Sequence, residues 1–116
     1  MQAEMLDSTI SNSLQLFADK GFRVRVVMRD GEPWFVAKDA CDCLEIADAS
    51  QACKNLDDDE KQVVTREFAS LLFREPKARA MTLISESGLY ALIMRSNKPE
   101  AKVFRKWVTS EVLPSI

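Results

Sequence analysis

Apolar and charged residues alternate near the start of the chain. Segment 22–28 (FRVRVVM) sets valines between arginines, and segment 32–36 (EPWFV) resumes an apolar pattern after Asp30-Gly31. Alternation with a period of two predicts β-strands, and Asp-Gly is a favoured pair for a two-residue hairpin turn. We therefore predict a β-hairpin here, preceded by one more strand over 14–17.

The hydrophobic spacing becomes helical after the hairpin. Small and apolar residues recur every three or four positions over 37–44, which predicts a short helix with Asp39 on its outer side. A second short helix is predicted to begin at Ser50, a favoured N-cap residue, and to turn Cys53 and Leu56 inward.

Strands and helices are both predicted for the second half of the chain. The predicted strands are 62–68 and 81–84, joined by a basic loop. One helix is capped by Ser85 and stops near 96–97, and another starts at Pro99 and is terminated by Pro114. The predicted fold class is α+β: a small antiparallel sheet of hairpins with four or so short helices, the two C-terminal helices packed on it.

The composition fits one globular domain. The chain has 116 residues, of which 47% are hydrophobic and 29% are charged, enough to bury a stable core. We expect an N-terminal tail over 1–13 and a domain over 14–116. No leader-like segment opens the sequence, and no apolar run reaches the ~20 residues of a membrane helix. A soluble, cytoplasmic protein without a membrane partner is therefore expected.

The sequence contains no histidine, which excludes histidine-based triads, imidazole acid–base chemistry and histidine metal ligands. Its three cysteines, Cys41, Cys43 and Cys53, form no CxxC pair and are expected to be packing residues in a reducing compartment. We expect no catalytic residue, no metal and no cofactor, and therefore no enzyme.

Charge is unevenly distributed along the chain. Residues 1–60 contain 6 basic and 13 acidic side chains, whereas residues 61–106 contain 10 basic and 4 acidic ones. The net charge of −2 therefore combines an acidic front half with a basic back half. If the halves form different faces, one face is suited to an anionic partner, although a solvated mixed surface explains the same pattern.

Four motifs occur together in the order of a known family. They are 30–39 (DGEPWFVAKD), 55–60 (NLDDDE), 84–92 (ISESGLYAL) and 101–115 with FRKWV at its centre. In order and spacing they resemble the Bro-N domain, the N-terminal module of baculovirus Bro proteins and of many phage and prophage antirepressors. The resemblance covers about 14–116.

The resemblance implies a small α+β domain that usually precedes a variable C-terminal effector region, which this chain does not include. It also implies a role in phage or viral gene control, since family members are linked to DNA binding and to repressor inactivation. We expect double-stranded DNA as the leading partner and transcriptional control as the setting.

The basic half supplies candidate phosphate contacts, because lysine and arginine provide the sequence-independent part of DNA affinity. The candidates are Arg74, Lys77, Arg79, Arg95, Lys98, Lys102, Arg105 and Lys106. Arg23 and Arg25 share one face of the first hairpin and are candidates to extend this positive surface.

The two short helices within 37–56 have the proportions of a helix-turn-helix. The second would present Gln51, Lys54 and Asn55, whose side chains suit adenine and guanine edges or a phosphate. An acidic run at 57–60 directly behind it would repel phosphates, which weakens this hypothesis.

The alternative function is protein interaction without DNA. An acidic face carrying Asp39, Asp42, Asp48 and 57–60 has the charge to attract a basic repressor helix and so inactivate the repressor. Acidic residues that merely keep the surface soluble are the simpler explanation. A homodimer is also possible, because an open hairpin edge and apolar helix faces can pair.

Overall fold

The computed structural model describes residues 14–19, 21–66, 73, 75, 78–96 and 98–116. These residues form one antiparallel sheet with the strand order β1-β2-β3-β5-β4. The strands are β1 (Leu14–Asp19), β2 (Phe22–Arg29), β3 (Glu32–Val36), β4 (Lys61–Thr65) and β5 (Ala80–Ile84). The α+β prediction is confirmed.

Helices connect and cover the strands. They are α1 (Ala37–Cys43), α2 (Ala49–Cys53), a 3-10 turn (Asp58–Glu60), α3 (Glu86–Arg95) and α4 (Pro99–Trp107). The last helix runs on through a π-helical turn (Val108–Val112) and a final α-helical turn (Leu113–Ser115). The predicted stop at Pro114 is therefore one residue early.

The first hairpin forms as the alternation predicts. Asp30 and Gly31 have φ values of 54° and 80°, the pair of positive angles that a type I′ turn requires. The turn sets Arg29 opposite Glu32. By contrast, the predicted N-cap of α2 is wrong: the helix begins earlier, and Asp48 Oδ1 accepts the hydrogen bond from the Gln51 amide at 3.1 Å.

One face of the sheet is covered by the helices. Strand residues such as Val26, Phe35 and Ile84 are buried there against the apolar sides of α1, α3 and α4. Phe22, at the start of β2, meets Phe104 edge to face with ring centroids 5.2 Å apart. This contact places α4 on β2.

Phe73, between β4 and β5 in the chain, packs on the opposite face of the sheet. It is buried against a second apolar cluster that includes Val27, Val36 and Leu83. The guanidinium of Arg66 lies 4.9 Å from the Phe73 ring centroid, and its Nε donates to the Ala78 carbonyl at 2.9 Å. These contacts link Arg66, directly after β4, to Phe73 and Ala78.

Arg25 is a correction to the predicted surface. It is only 5% exposed, and its Nε and Nη2 donate to the two carboxylate oxygens of Asp39, each at 2.8 Å. Nη2 also donates to Glu75 Oε2 at 3.1 Å. The hydrogen bond to Asp39 raises the pKa of the Arg25 guanidinium above its ordinary value. Arg25 and Asp39 were both expected to be exposed, but they bind each other, and Glu75 also binds Arg25.

Gly88 allows α3 to approach the start of β4. A Cβ at this position would lie 2.9 Å from the Glu60 carbonyl oxygen. The same oxygen accepts from the Ser85 amide at 2.9 Å, and Ser85 Oγ accepts from the Gly88 amide at 3.1 Å. The predicted cap at Ser85 is observed, and Gly88 packs closely on Glu60.

Replacing Asp39 by alanine is expected to destabilise the fold by about 3–5 kcal/mol, because it leaves the buried Arg25 guanidinium short of its main partner. The matched control is Asp42→Ala on the same helix. It removes an exposed pair with Lys38 and should cost about 1 kcal/mol or less. Urea unfolding of both variants measures the difference, and equal losses would contradict the structural role assigned to Arg25.

Gly88→Ala is expected to destabilise the domain by about 1–3 kcal/mol, because the new methyl group meets backbone that cannot easily move. Glycine to alanine in an ordinary helix interior stabilises by up to about 1 kcal/mol, so the sign is diagnostic. Thermal and urea unfolding provide the measurement. A stabilised variant would show that the approach of α3 to Glu60 is not tight.

Candidate nucleic-acid interface

Four cations lie on one side of α4 or at its N-cap. Lys102, Arg105 and Lys106 fall within about 100° of arc in the helix and span about 6 Å along its axis, and Lys98 precedes the helix as its N-cap. We call these four residues the basic ridge. All four are exposed, because the buried side of the helix carries Ala101, Phe104 and Trp107 instead.

The near end of the basic ridge is anchored to the α1–α2 loop. Lys98 Nζ donates to the Glu45 carbonyl at 2.9 Å and lies 3.4 Å from Glu45 Oε1. Arg95 Nη1, at the end of α3, donates to the Ala52 carbonyl in α2 at 3.4 Å. The turn between α3 and α4 is therefore held beside α2.

These contacts bring several predicted site residues onto adjoining surface. Gln51, Lys54 and Asn55 are exposed on or directly after α2, whose Ala52 carbonyl accepts from Arg95. A cleft of about 410 Å³ is lined by Arg95 and Lys98 together with leucine and isoleucine side chains, whereas Lys54 lines a separate cleft beside β4. The cleft at Arg95 therefore combines a cationic rim with an apolar recess.

Glu45 is a site residue that the sequence analysis did not identify. Its φ of 60° lies in the left-handed region, which a non-glycine residue seldom adopts. It follows Leu44, the C-cap of α1, where helices often end in this conformation. The available sequence signal was the end of the apolar spacing at Leu44, but the partner Lys98 is distant in the chain.

Tyr90 and Arg105 are electrostatic neighbours across α3 and α4. Burial raises the pKa of the Tyr90 hydroxyl, the charge of Glu86 raises it further, and the charge of Arg105 opposes the shift. The Tyr90 side chain is half-buried.

Other predicted cations do not join the basic ridge. Arg79 is exposed just before β5, beside edge strand β4, whereas α4 packs on β2. Arg23 shares its sheet face with the buried Arg25 and lines a cleft with Asp42 and Cys43 of α1, so neither belongs to the ridge. Arg74 and Lys77 lie outside the described residues.

The predicted helix-turn-helix is compact. Helix α1 has seven residues and α2 has five, so α2 is only about 7.5 Å long. Cys53 and Leu56 are buried as predicted. The exposed carboxylates of 57–59 follow directly, and they limit how closely a phosphate can approach α2 from that side.

Several residues of the predicted acidic face have partners within the fold. Asp39 binds Arg25, and Asp48 caps α2. Glu60 Oε1 accepts from the Asp57 amide at 3.0 Å, and its Oε2 accepts from a serine hydroxyl of α3. These bonds lower the pKa of Glu60, the amide contributing most. Much of the acidic patterning therefore stabilises helix ends.

The cysteines are structural in the folded domain. Burial raises the pKa of Cys41 to about 12 and that of Cys43 to about 11, and it also raises the pKa of Cys53. Thiols with such values remain protonated near neutral pH and are poor nucleophiles and ligands. No three side chains of the described segments gather as metal ligands. None of the helices in those segments is long and apolar enough to span a bilayer.

Two known proteins are similar in sequence to this chain. An uncharacterized protein of Haemophilus influenzae is 38% identical over 112 residues, covering 93% of this chain and 53% of the relative. A Bro-N domain-containing protein of Invertebrate iridescent virus 6 is 31% identical over 116 residues, covering 86% of this chain and 27% of the relative. The chain thus spans about half the length of the first relative and less of the second.

No solved structure matches the chain. The family model described as "BRO family, N-terminal domain" matches residues 23–114, which include the whole helical layer, the basic ridge and four of the five strands. The match covers most of the chain and contains the four motifs noted in the sequence. The chain therefore belongs to the Bro-N domain family.

Proposed function

We propose that this domain binds double-stranded DNA through the basic ridge, as the regulatory module of a phage or prophage antirepressor-type protein in transcriptional control. The observation that carries the proposal is the set of three exposed cations on one side of α4, with a fourth, Lys98, at its N-cap. Arg95 extends this set at the end of α3. A rigid helix presents these charges at fixed spacing to a regular array of phosphates.

The net charge of −2 is compatible with this proposal. Salt screens charges over about 10 Å, so a phosphate responds mainly to the nearest side chains. The acidic residues Asp39 and Asp48 are used inside the fold, whereas Lys102 and Lys106 are exposed. Glu45 offsets Lys98 in part, which makes the far end of the ridge the stronger positive site.

Sequence preference is proposed to come from α2 rather than from the ridge. Gln51 and Asn55 have the side-chain amides that pair with adenine, and both are exposed within three residues of Ala52, whose carbonyl accepts from Arg95. Phosphate contacts by the ridge would position the domain, and α2 would reach toward base edges. The short length of α2 limits this contact to one or two base pairs.

Membership of the Bro-N family supports a regulatory setting, and the greater length of the relatives leaves room for further activities outside this domain. Repressor binding through an acidic face stays a prediction. It loses support at Asp39, which is buried against Arg25 and has no free charge to offer. DNA binding is therefore the function that we favour.

The double variant Lys102→Glu/Lys106→Glu is expected to weaken duplex binding at least about ten-fold at low salt. It should also reduce the slope of log affinity against log salt by about two, since each phosphate contact contributes about 0.9. Fluorescence anisotropy at several salt concentrations measures both quantities. A duplex from the flanking prophage control region and a scrambled duplex together report specificity.

The matched control is Lys38→Glu/Arg79→Glu, which makes the same charge change at exposed positions off the ridge. The DNA affinity of this control variant should stay within about three-fold of that of the unmodified protein, because salt screening weakens distant charges. Circular dichroism checks that both variants are folded. Absence of binding by the unmodified domain at low salt would reject the proposal, as would equal losses in the two variants.

A further inference from the structure

Strand β4 is an edge of the described sheet, pairing with β5 on one side. Two hydrogen bonds at the ends of this pairing show which β4 residues bond to β5. The Ser85 amide donates to the Glu60 carbonyl, and the Arg66 amide donates to the Arg79 carbonyl, both at 2.9 Å. The backbone amides and carbonyls of the even-numbered β4 residues therefore point toward β5.

The alternate residues of β4 direct their backbone groups away from the sheet. Lys61, Val63 and Thr65 each place an amide and a carbonyl on the outer side of the strand. Within the described residues these groups meet no neighbouring strand. The edge is therefore a set of alternating donors and acceptors ready for antiparallel pairing.

The charged side chains that could guard this edge are turned inward. Proteins usually protect edge strands with lysine, proline, bulges or a covering segment. Here Lys61 Nζ donates to the Cys53 carbonyl at 3.1 Å, and Arg66 Nε donates to the Ala78 carbonyl. The side chain left at the centre of the edge is Val63, which is 67% exposed.

We propose that β4 is the dimer interface, pairing antiparallel with the β4 strand of a second copy of this chain about a two-fold axis at Val63. The register sets Val63 opposite its equivalent and Lys61 opposite Thr65. Each outward amide then finds an outward carbonyl on the other copy. The two five-stranded sheets become one continuous sheet across the axis.

Self-pairing is favoured over a different partner by the symmetry of the strand itself. The two Val63 side chains lie on the same sheet face about 5 Å apart and bury apolar surface that is otherwise exposed. No like charges stand opposite each other in the ladder, because Lys61 meets Thr65. A cleft of about 500 Å³, lined in part by Lys61, Gln62 and Val63, lies beside the strand.

This dimer has a consequence for α2. The Lys61–Cys53 hydrogen bond holds α2 next to β4 on the helix-covered face, so the two α2 helices flank the axis on the same side of the sheet. Two-fold dimers of DNA-binding domains recognise palindromic sites. The dimer itself does not depend on DNA binding and is tested without DNA.

Sedimentation equilibrium over a micromolar to near-millimolar concentration series provides the first test. The unmodified protein is expected to reach twice its 13.1 kDa monomer mass. Val63→Lys should remain monomeric, because it places two ammonium groups against each other at the axis. Leu16→Lys is the matched control: it changes an exposed residue on the opposite edge strand, β1, and should dimerise normally.

Amide hydrogen exchange of the unmodified protein provides a second test that needs no variant. The amides of Lys61, Val63 and Thr65 should exchange at least ten-fold more slowly in concentrated than in dilute solution, while those of β1 should not change. The proposal is overturned if the protein sediments as a monomer throughout, or if Val63→Lys dimerises as well as the unmodified chain. Exchange at β4 that is independent of concentration would also overturn it.

Discussion

A buried guanidinium in the middle of β2 constrains how the rest of the domain is arranged. Arginine stays charged at any accessible pH, so Arg25 can leave water only where carboxylates surround it. Asp39 in α1 and Glu75 in the β4–β5 connection supply them. One side chain therefore ties together a strand, a helix and Glu75.

The candidate interface depends on the same constraint through a chain of contacts. Asp39 sets the position of α1. Glu45, in the left-handed conformation, follows the C-cap of this helix. Glu45 binds Lys98, which starts α4 beside α2. Packing of Phe104 on Phe22 then orients the helix so that its cations face solvent. The basic ridge is thus placed by contacts that lie on both faces of the sheet.

Local patterns predicted the elements well because neighbouring residues determine them. The Asp30-Gly31 turn and the Ser85 cap each follow from chemistry within a few residues. The prediction that Arg25 is exposed was wrong, because an alternating pattern shows which residues share a sheet face but not what covers that face. Asp48, rather than Ser50, is the N-cap because α2 begins earlier than its apolar spacing indicates.

The candidate site was only partly predictable for the same reason. The helical spacing of α4 is visible in the sequence, so Lys102, Arg105 and Lys106 could be grouped without a structure. The approach of Arg95 and Lys98 to α2 could not, since it depends on Glu45 and on the Ala52 carbonyl, both more than 40 residues away.

The most direct measurement of the central claim is two-dimensional amide NMR of the labelled domain titrated with duplex DNA. The account predicts that the largest chemical-shift changes occur at Arg95, along 98–106 and around 51–55. The amides of β1 and Arg79 should change little. Changes centred on the sheet face that carries Arg23, or no changes at low salt, would contradict the assignment of the basic ridge as the DNA-binding surface.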